Sequence, residues 1–414
     1  MLKILFILML LLNVVVADQE EFPIIDKSEL ERRSLVKYHL YDPQLFDMYT
    51  ECITKLYRPC YSGHDFKHSL DVNFIEAMIA LNQSVDPWDA TLFIIPVLYD
   101  QVDGGPKAFC HSLHAPRLVA QMYEVLHSLG YYKPGVRNHF VMADHYSTGH
   151  SRKWVKGERF KFKPELIVGK FEQPALSPVF RWTVLDIDPS QYISVGYTTW
   201  NGLLRHCSFV TNMLSPLSIH NRTYLVSFAG GVLPVTDVIQ RYLHRNVLLN
   251  YTWDHSIPND TLISIYDKRF PIPKTHVWLD GNEVIHKSLL VLHLSGDTPT
   301  TDRIWTAFEY LSLVGVLTRE KDDLLALLPF PDRVPWEDIF VWIDTDAFLQ
   351  SPVEAVREAA LALTESEKER RYNLMRKHRR DVLWGYNESV AVFNVLDEAA
   401  SRVKTLAINT TTVL

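Results

Sequence analysis

Two stretches in the second half of the chain set small and hydroxylated residues between a strand pattern and a helix pattern. That arrangement brings backbone N–H groups up to a diphosphate. The first is Ser227-Phe228-Ala229-Gly230-Gly231, ahead of a helical stretch expected from Val235 to His244. Paired glycines let a backbone approach a ligand closely, although Gly pairs also end many strands that bind nothing. The second is Leu294-Ser295-Gly296-Asp297-Thr298-Pro299-Thr300-Thr301, ahead of a helix expected from Asp302 to Leu313. Thr300 and Thr301 stand where they can cap that helix and donate hydroxyls, and Arg303 in its first turn would put a guanidinium beside phosphate oxygens. A cation in a first turn opposes the helix dipole, which an anionic ligand would offset. Capping alone also accounts for the threonine pair.

Two acidic pairs, Asp186-Ile187-Asp188 and Asp344-Thr345-Asp346, have the spacing at which carboxylates chelate Mg²⁺ or Mn²⁺ beside a diphosphate. Among 49 acidic residues such pairs also arise by chance. A diphosphate held by helix N-termini and arginine needs no metal, and the expectation is that no metal or other cofactor is required.

These segments need a scaffold of parallel strands and covering helices, and the rest of the sequence supplies its pattern. Strands are expected at Phe93–Leu98, His139–Ala143, Tyr224–Ala229, Leu289–Leu294 and Phe340–Ile343, with helices at Ser69–Leu81, Ala115–Leu129, Pro352–Leu363 and Glu365–Leu383. Alternation of the two types predicts an α/β architecture. At 414 residues the chain exceeds one core of ~250–300 residues and suits two domains. Their expected extents are residues 18–215 and 216–364, with the Pro-bearing region from Ser151 to Ser215 as the passage between them and a C-terminal helix and tail over 365–414. The basic run Arg376 to Arg380 reads as a solvated helix end.

The composition narrows the partners. Lys plus Arg number 42 against 49 Asp plus Glu, a net charge of −7, which argues against a nucleic-acid partner held through phosphate neutralisation. Residues 1–17 carry Lys3, an apolar stretch from Ile4 to Val16, and Val15 and Ala17 ahead of a cleavage point, the layout of a secretory signal. The apolar stretch would span roughly 20 Å as a helix, short of the ~30 Å hydrocarbon core, so cleavage is expected over a short type II anchor. Sequons at Asn82, Asn221, Asn250, Asn259, Asn387 and Asn409 and an even cysteine count, Cys52, Cys60, Cys110 and Cys207, agree with a luminal or secreted address. Cys52 with Cys60 is the preferred local pair.

The run GDTPTTDRIWTAFEYLSLVGVL (Gly296 to Leu317) followed by LLPFPDRVPWEDIFVWI (Leu327 to Ile343) resembles the donor-binding signature of the exostosin-like glycosyltransferases. RTYLVSFAGGV (Arg222 to Val232), VKYHLYDP (Val36 to Pro43), DPWDATLFIIPVLY (Asp86 to Tyr99) and GVRNHFVMADH (Gly135 to His145) fall in that family's order. The resemblance covers residues 36 to 384. It implies a GT-B fold, two Rossmann-like domains facing a central cleft with the C-terminal helix packing back across. It also implies inverting transfer of a sugar from a nucleotide sugar, a UDP-sugar by expectation, to a glycan or glycoprotein acceptor in the Golgi or elsewhere in the secretory pathway. The donor residues would be Gly230, Gly231, Ser295, Gly296, Asp297, Thr298, Thr300, Thr301 and Arg303. His145 would contact the acceptor or serve as base, against a purely structural imidazole.

Four places depart from the family pattern, whose Cys-Ile-Pro-Val strand is Ser312-Leu313-Val314-Gly315 here. Its acid in the Arg-x-x-acid-Ala run is Thr306 here, with Glu309 the nearest carboxylate to replace it. The Asp of Arg-Asp-His-Phe is Asn138, and the acid after the strand-end His is Tyr146. These departures motivate an alternative, a catalytically silent exostosin-like protein that binds glycan or partners a related transferase. A secreted glycoside hydrolase, suggested by 12% aromatic residues and many acids, would need two carboxylates at a set separation that no sequence displays.

Overall fold

The computed structural model describes residues 36–56, 70–99, 115–143, 162–170, 189–196, 215–232, 243–267, 281–296, 299–384 and 389–406. His145, Tyr146, Asp186, Asp188, Asp297, Thr298, Asn387, Asn409, residues 1–17 and three of the cysteines lie outside them. Cys52 is disulfide-bonded; its partner falls outside the described residues, so the Cys52–Cys60 expectation has no counterpart to compare with.

The α/β class is as expected: the described residues build two five-stranded sheets, each wholly parallel. In chain order the first half runs β1 (Tyr38–Leu40), α1 (Asp47–Leu56), α2 (Leu70–Leu81), β2 (Leu92–Ile94), α3 (Ala115–Ser128), β3 (Val136–Arg137), β4 (His139–Met142), β5 (Leu166–Lys170) and β6 (Tyr192–Ser194). Its sheet has the order β1-β2-β4-β5-β6. β5 and β6 correct the sequence expectation that 151–215 is only a passage. Leu166-Ile167-Val168 is a short buried run with every residue of β5 buried, typical of strands covered on both faces.

The second half runs β7 (Tyr224–Val232), α4 (Leu243–Asp254), β8 (Thr261–Asp267), α5 (Gly281–His286), β9 (Ser288–His293), α6 (Asp302–Tyr310), β10 (Leu313–Leu317), α7 (Lys321–Leu325), α8 (Trp336–Ile339), β11 (Val341–Ile343), α9 (Thr345–Gln350) and α10 (Pro352–Ala362). Its sheet has the order β11-β10-β9-β7-β8. Counted from β7 the order is 2-1-3-4-5, so the direction of strand addition reverses between β7 and β9. In open parallel sheets ligands bind at the carboxyl ends of the strands at such a reversal. α4 and α10 pack together on β7, and α5 and α6 pack together on β9. β9 and β10 are buried along their whole length.

Two helix boundaries differ from expectation. The helix of Val235 to His244 overlaps the described helix α4 only at Leu243 and His244, and α4 continues to Asp254 through Asn246, Asn250 and Thr252, residues of modest helix propensity. The helix of Asp302 to Leu313 stops at Tyr310, because Leu311 turns left-handed at φ 54° and its N–H bonds back to the carbonyls of Ala307 and Phe308. The chain is thereby freed to enter β10 at Leu313. A left-handed Leu carries none of the punctuation a Gly would give.

The C-terminal segment consists of α11 (Glu365–Val382), α12 (Ala391–Ser401) and β12 (Lys404–Thr405). It packs from one sheet to the other, as the resemblance implied: α11 lies on α6, α8 and β10, while α12 lies on α2, β5 and β6. Trp384 meets Phe74 of α2 edge to face, and β12 pairs antiparallel with β3. The basic end of α11 is not simply solvated. His378 and Arg379 are buried, and the His378 ring nitrogen Nδ1 lies 2.9 Å from Asp381, whose backbone carbonyl accepts from Asn394 of α12. None of the described helices is long and apolar enough to cross a membrane. The sequon asparagines Asn82, Asn221, Asn250 and Asn259 are all exposed.

Candidate functional site

The carboxyl ends of β7 and β9 are tied together by arginine. Arg245, in the first turn of α4, donates from Nη1 to the Gly231 carbonyl (3.0 Å) and from Nη2 and Nε to the Leu294 carbonyl (2.7 and 3.2 Å). Arg303, in the first turn of α6, donates from Nε to the Ala229 carbonyl at 2.6 Å. Both guanidiniums lie over the Phe228 ring, 4.9 Å from its centroid for Arg303 and 5.8 Å for Arg245. Two cations therefore flank the strand reversal, each held by main-chain carbonyls.

The two glycine elements serve these arginines. A Cβ on Gly230 would collide with the Arg303 guanidinium, and one on Gly296 would lie 2.6 Å from Arg245 Nη2. Either arginine would have to shift to admit a side chain there, so the glycines leave the guanidiniums room where they stand, and the expected site residues Gly230, Gly231, Gly296 and Arg303 lie together.

Other expectations are corrected. Thr301 occupies the N-cap of α6, yet its side chain makes no capping bond. Its hydroxyl lies 3.2 Å from His293 Nδ1, while His293 Nε2 lies 2.9 Å from the Pro299 carbonyl. With a carbonyl at Nε2 that nitrogen carries the proton, so Thr301 donates to Nδ1 and the ring is neutral. Thr300 is buried beside it. Thr301 thus braces the turn through a buried histidine. Glu309 is buried near the far end of α6, about 10 Å by helix rise from the first turn, and does not join the strand-end group. Thr306 returns its hydroxyl to the Asp302 carbonyl at 3.1 Å. Asp344 caps α9 by accepting from the Ala347 N–H at 2.7 Å, and Asp346 pairs with Arg319.

Four residues at this edge escaped the sequence reading: His244, Arg245, His293 and Glu320. Glu320, in the turn after β10, accepts from His244 Nδ1 at 2.7 Å and from the Ser295 hydroxyl at 2.9 Å and N–H at 3.3 Å. Ser295 is therefore fixed in place by that carboxylate. A charged residue just past a buried strand was the available signal, at Val316-Leu317-Thr318-Arg319-Glu320.

In the first sheet, Arg137-Asn138-His139-Phe140 is a structural anchor. Arg137 is buried and donates to the Pro164 carbonyl and the Ser190 hydroxyl. His139 Nδ1 donates to Asn138 Oδ1 at 2.7 Å, and the Tyr41 hydroxyl donates to Nε2 at 2.8 Å. Asn138 at this position accepts from a neutral imidazole as an aspartate would.

Burial pushes His139 down to about 3 and His293 down to about 4, so both are neutral in the folded protein at pH 7. The unfolded chain protonates each near ~6.5. Between about 6.5 and 4 the unfolded state binds up to two more protons than the native state. Stability therefore falls on acidification through that window, by up to ~1.4 kcal/mol per pH unit for each group, and the slope from each ends below its folded value. Urea midpoints between pH 7 and 4.5 read this directly. A flat profile over that range would contradict the neutral, buried assignment.

No protein-family model matches the chain, and no curated protein matches it closely enough to count as a relative. Among solved structures, WaaG, a glycosyltransferase involved in lipopolysaccharide biosynthesis, aligns over 84% of this chain and 98% of its own, at 10% identity and TM-score 0.36. An alpha-glucosyltransferase in complex with UDP-glucose and DNA containing an abasic site aligns over 79% and 84%, at 9% identity and TM-score 0.34. An alpha-glucosyltransferase in complex with UDP gives 79% and 84%, at 11% identity and TM-score 0.34. At such values the likeness carries no argument about this chain.

Proposed function

We propose that the protein is an inverting glycosyltransferase that takes its donor, a UDP-sugar by preference, at the carboxyl ends of β7 and β9 and transfers the sugar to a glycan or glycoprotein in the secretory pathway. The observation that carries the reading is the pair of guanidiniums, Arg245 and Arg303, held at the strand reversal between glycines that leave them room. Departure of a nucleoside diphosphate builds negative charge on the oxygen that leaves, and fixed cations in a partly desolvated site stabilise that charge without reorganising. In this reading the arginines do the work a divalent cation does elsewhere, and transfer requires no metal. Acceptor binding falls to the first sheet, with His145 as acceptor contact or base. The exposed sequons support a luminal address.

One observation favours the second reading, a silent partner of a related transferase. Thr306 and Glu309 leave no carboxylate in the first two turns of α6 beyond the exposed Asp302 to accept hydroxyls from a donor ribose. Calorimetric titration with uridine, UMP and UDP separates the two. The transferase reading expects affinity to climb with each phosphate, steepest at the second; absence of binding by all three in folded protein supports the silent partner.

A further inference from the structure

Beside the arginines, one pair of side chains has the geometry of a proton carrier. His244 starts α4 and Glu320 follows β10, far apart in sequence but joined through His244 Nδ1. The Glu320 carboxylate also accepts twice from Ser295, so donors from two elements fix it. Burial alone would raise its pKa, but the hydrogen bonds from His244 and Ser295 outweigh burial and hold it below the usual carboxylate range. The His244 side chain is 18% exposed and that of Glu320 11%, which puts the imidazole on the solvent side of the pair. A carboxylate on Nδ1 sets tautomer and ring direction and leaves Nε2 for a ligand. Among the described residues no hydrogen bond is made to Nε2. Phe348 packs edge-on against the ring, and Arg245, the next residue, reaches the Gly231 and Leu294 carbonyls.

We propose that His244 contacts the diphosphate and gives its Nε2 proton to the departing oxygen, with Glu320 as its positioning residue. This rests on the glycosyl-transfer reading. The bond from the anomeric carbon to the β-phosphate oxygen breaks with its electron pair left on that oxygen, which takes the proton from His244. The acceptor oxygen forms the new bond at the anomeric carbon, and its proton goes to the acceptor-side base. That base then loses a proton to solvent and His244 regains one, so the cycle closes. Of the charged and titratable groups, Glu320 after β10 faces His244 directly and Arg245 is its neighbour in the chain; His293 on β9 and Asp323 on α7 interact with Glu320, and Arg303 on α6 with His293.

The test is titration of the full chain with UDP, and separately with inorganic diphosphate, from pH 6 to 8.5, for the wild type, His244→Asn and Glu320→Gln. His244→Asn is expected to weaken both ligands roughly tenfold at pH 6.5 and to flatten the loss of affinity toward high pH. Glu320→Gln is expected to weaken them as well, although it removes a negative charge from beside an anion. A bystander carboxylate would give the opposite sign. Wild-type affinity and pH profile in His244→Asn, or tighter binding by Glu320→Gln, overturns the assignment while leaving the transferase reading intact. If the wild type binds neither probe, that reading falls and this one with it. Should either variant fail to fold, the histidine Cε1–H NMR resonances of the wild type decide: UDP must shift one imidazole toward its charged form, and no shift overturns the proposal.

Discussion

Arg303→Ala should weaken UDP binding by about 1.5–3 kcal/mol, roughly ten- to 150-fold, in a protein that remains folded. Arg303 is half-buried, its backbone lies in the first turn of a nine-residue helix, and its Nε donates to the Ala229 carbonyl. Truncation therefore removes a cation from the strand reversal without emptying the core. Arg303→Lys should recover only part of the loss, because a point charge cannot both reach the Ala229 carbonyl and present a flat donor pair to phosphate. The loss should be smaller for UMP and absent for uridine. Unchanged UDP affinity in folded Arg303→Ala would remove this side chain from the site, and a loss shared equally by uridine would assign it to packing.

Arg222→Met should cost about 3–5 kcal/mol of stability. Arg222 donates to the carbonyls of Leu217 (2.7 Å), Tyr310 (2.9 Å) and Leu311 (3.2 Å), to the Ser312 hydroxyl (3.1 Å), and to the His286 carbonyl. These acceptors close α5 and α6, whose last carbonyls have no partner within their own helices and favour a cation. Burial draws the Arg222 pKa down to about 10, still high enough to keep the charge at pH 7. Met keeps much of the apolar stem but satisfies none of the acceptors, and each buried carbonyl left without a donor costs about 1–3 kcal/mol, part of which relaxation recovers. Urea unfolding measures it. A change under 1 kcal/mol would mean that water replaces the guanidinium and that the helix ends are not buried as described.

How much of this was legible depended on distance along the chain. The strand, small residue and helix order at Gly230 and at Gly296 is local, and both elements were found, as was Arg303 beside them. Arg245 was invisible because its role exists only once β7 and β9 lie side by side, and His244 with Glu320 because the pair is closed by tertiary packing. Thr301 differs from expectation for a related reason: it stands at a helix start, where capping is the local expectation, but a buried His293 next to it offers a competing partner. The helix expected from Asp302 overran to Leu313, the first residue of β10, since Leu311 breaks that helix with a left-handed turn that no glycine announces. β8, at the sheet edge, mixes buried and half-buried residues and lacks the continuous apolar run by which β9 was recognised.

The most direct test of the central claim is to incubate the purified protein with a panel of UDP- and GDP-sugars and a set of glycan acceptors, with and without chelator, and follow both anomeric protons and free nucleotide by NMR. One nucleotide sugar is expected to be consumed only when an acceptor is present, the new linkage to have the opposite anomeric configuration to the donor, and chelator to leave the rate unchanged. Folded protein that neither binds nor consumes any donor would contradict the claim, and would make Thr306 and Glu309, rather than Arg245 and Arg303, the residues that define this chain.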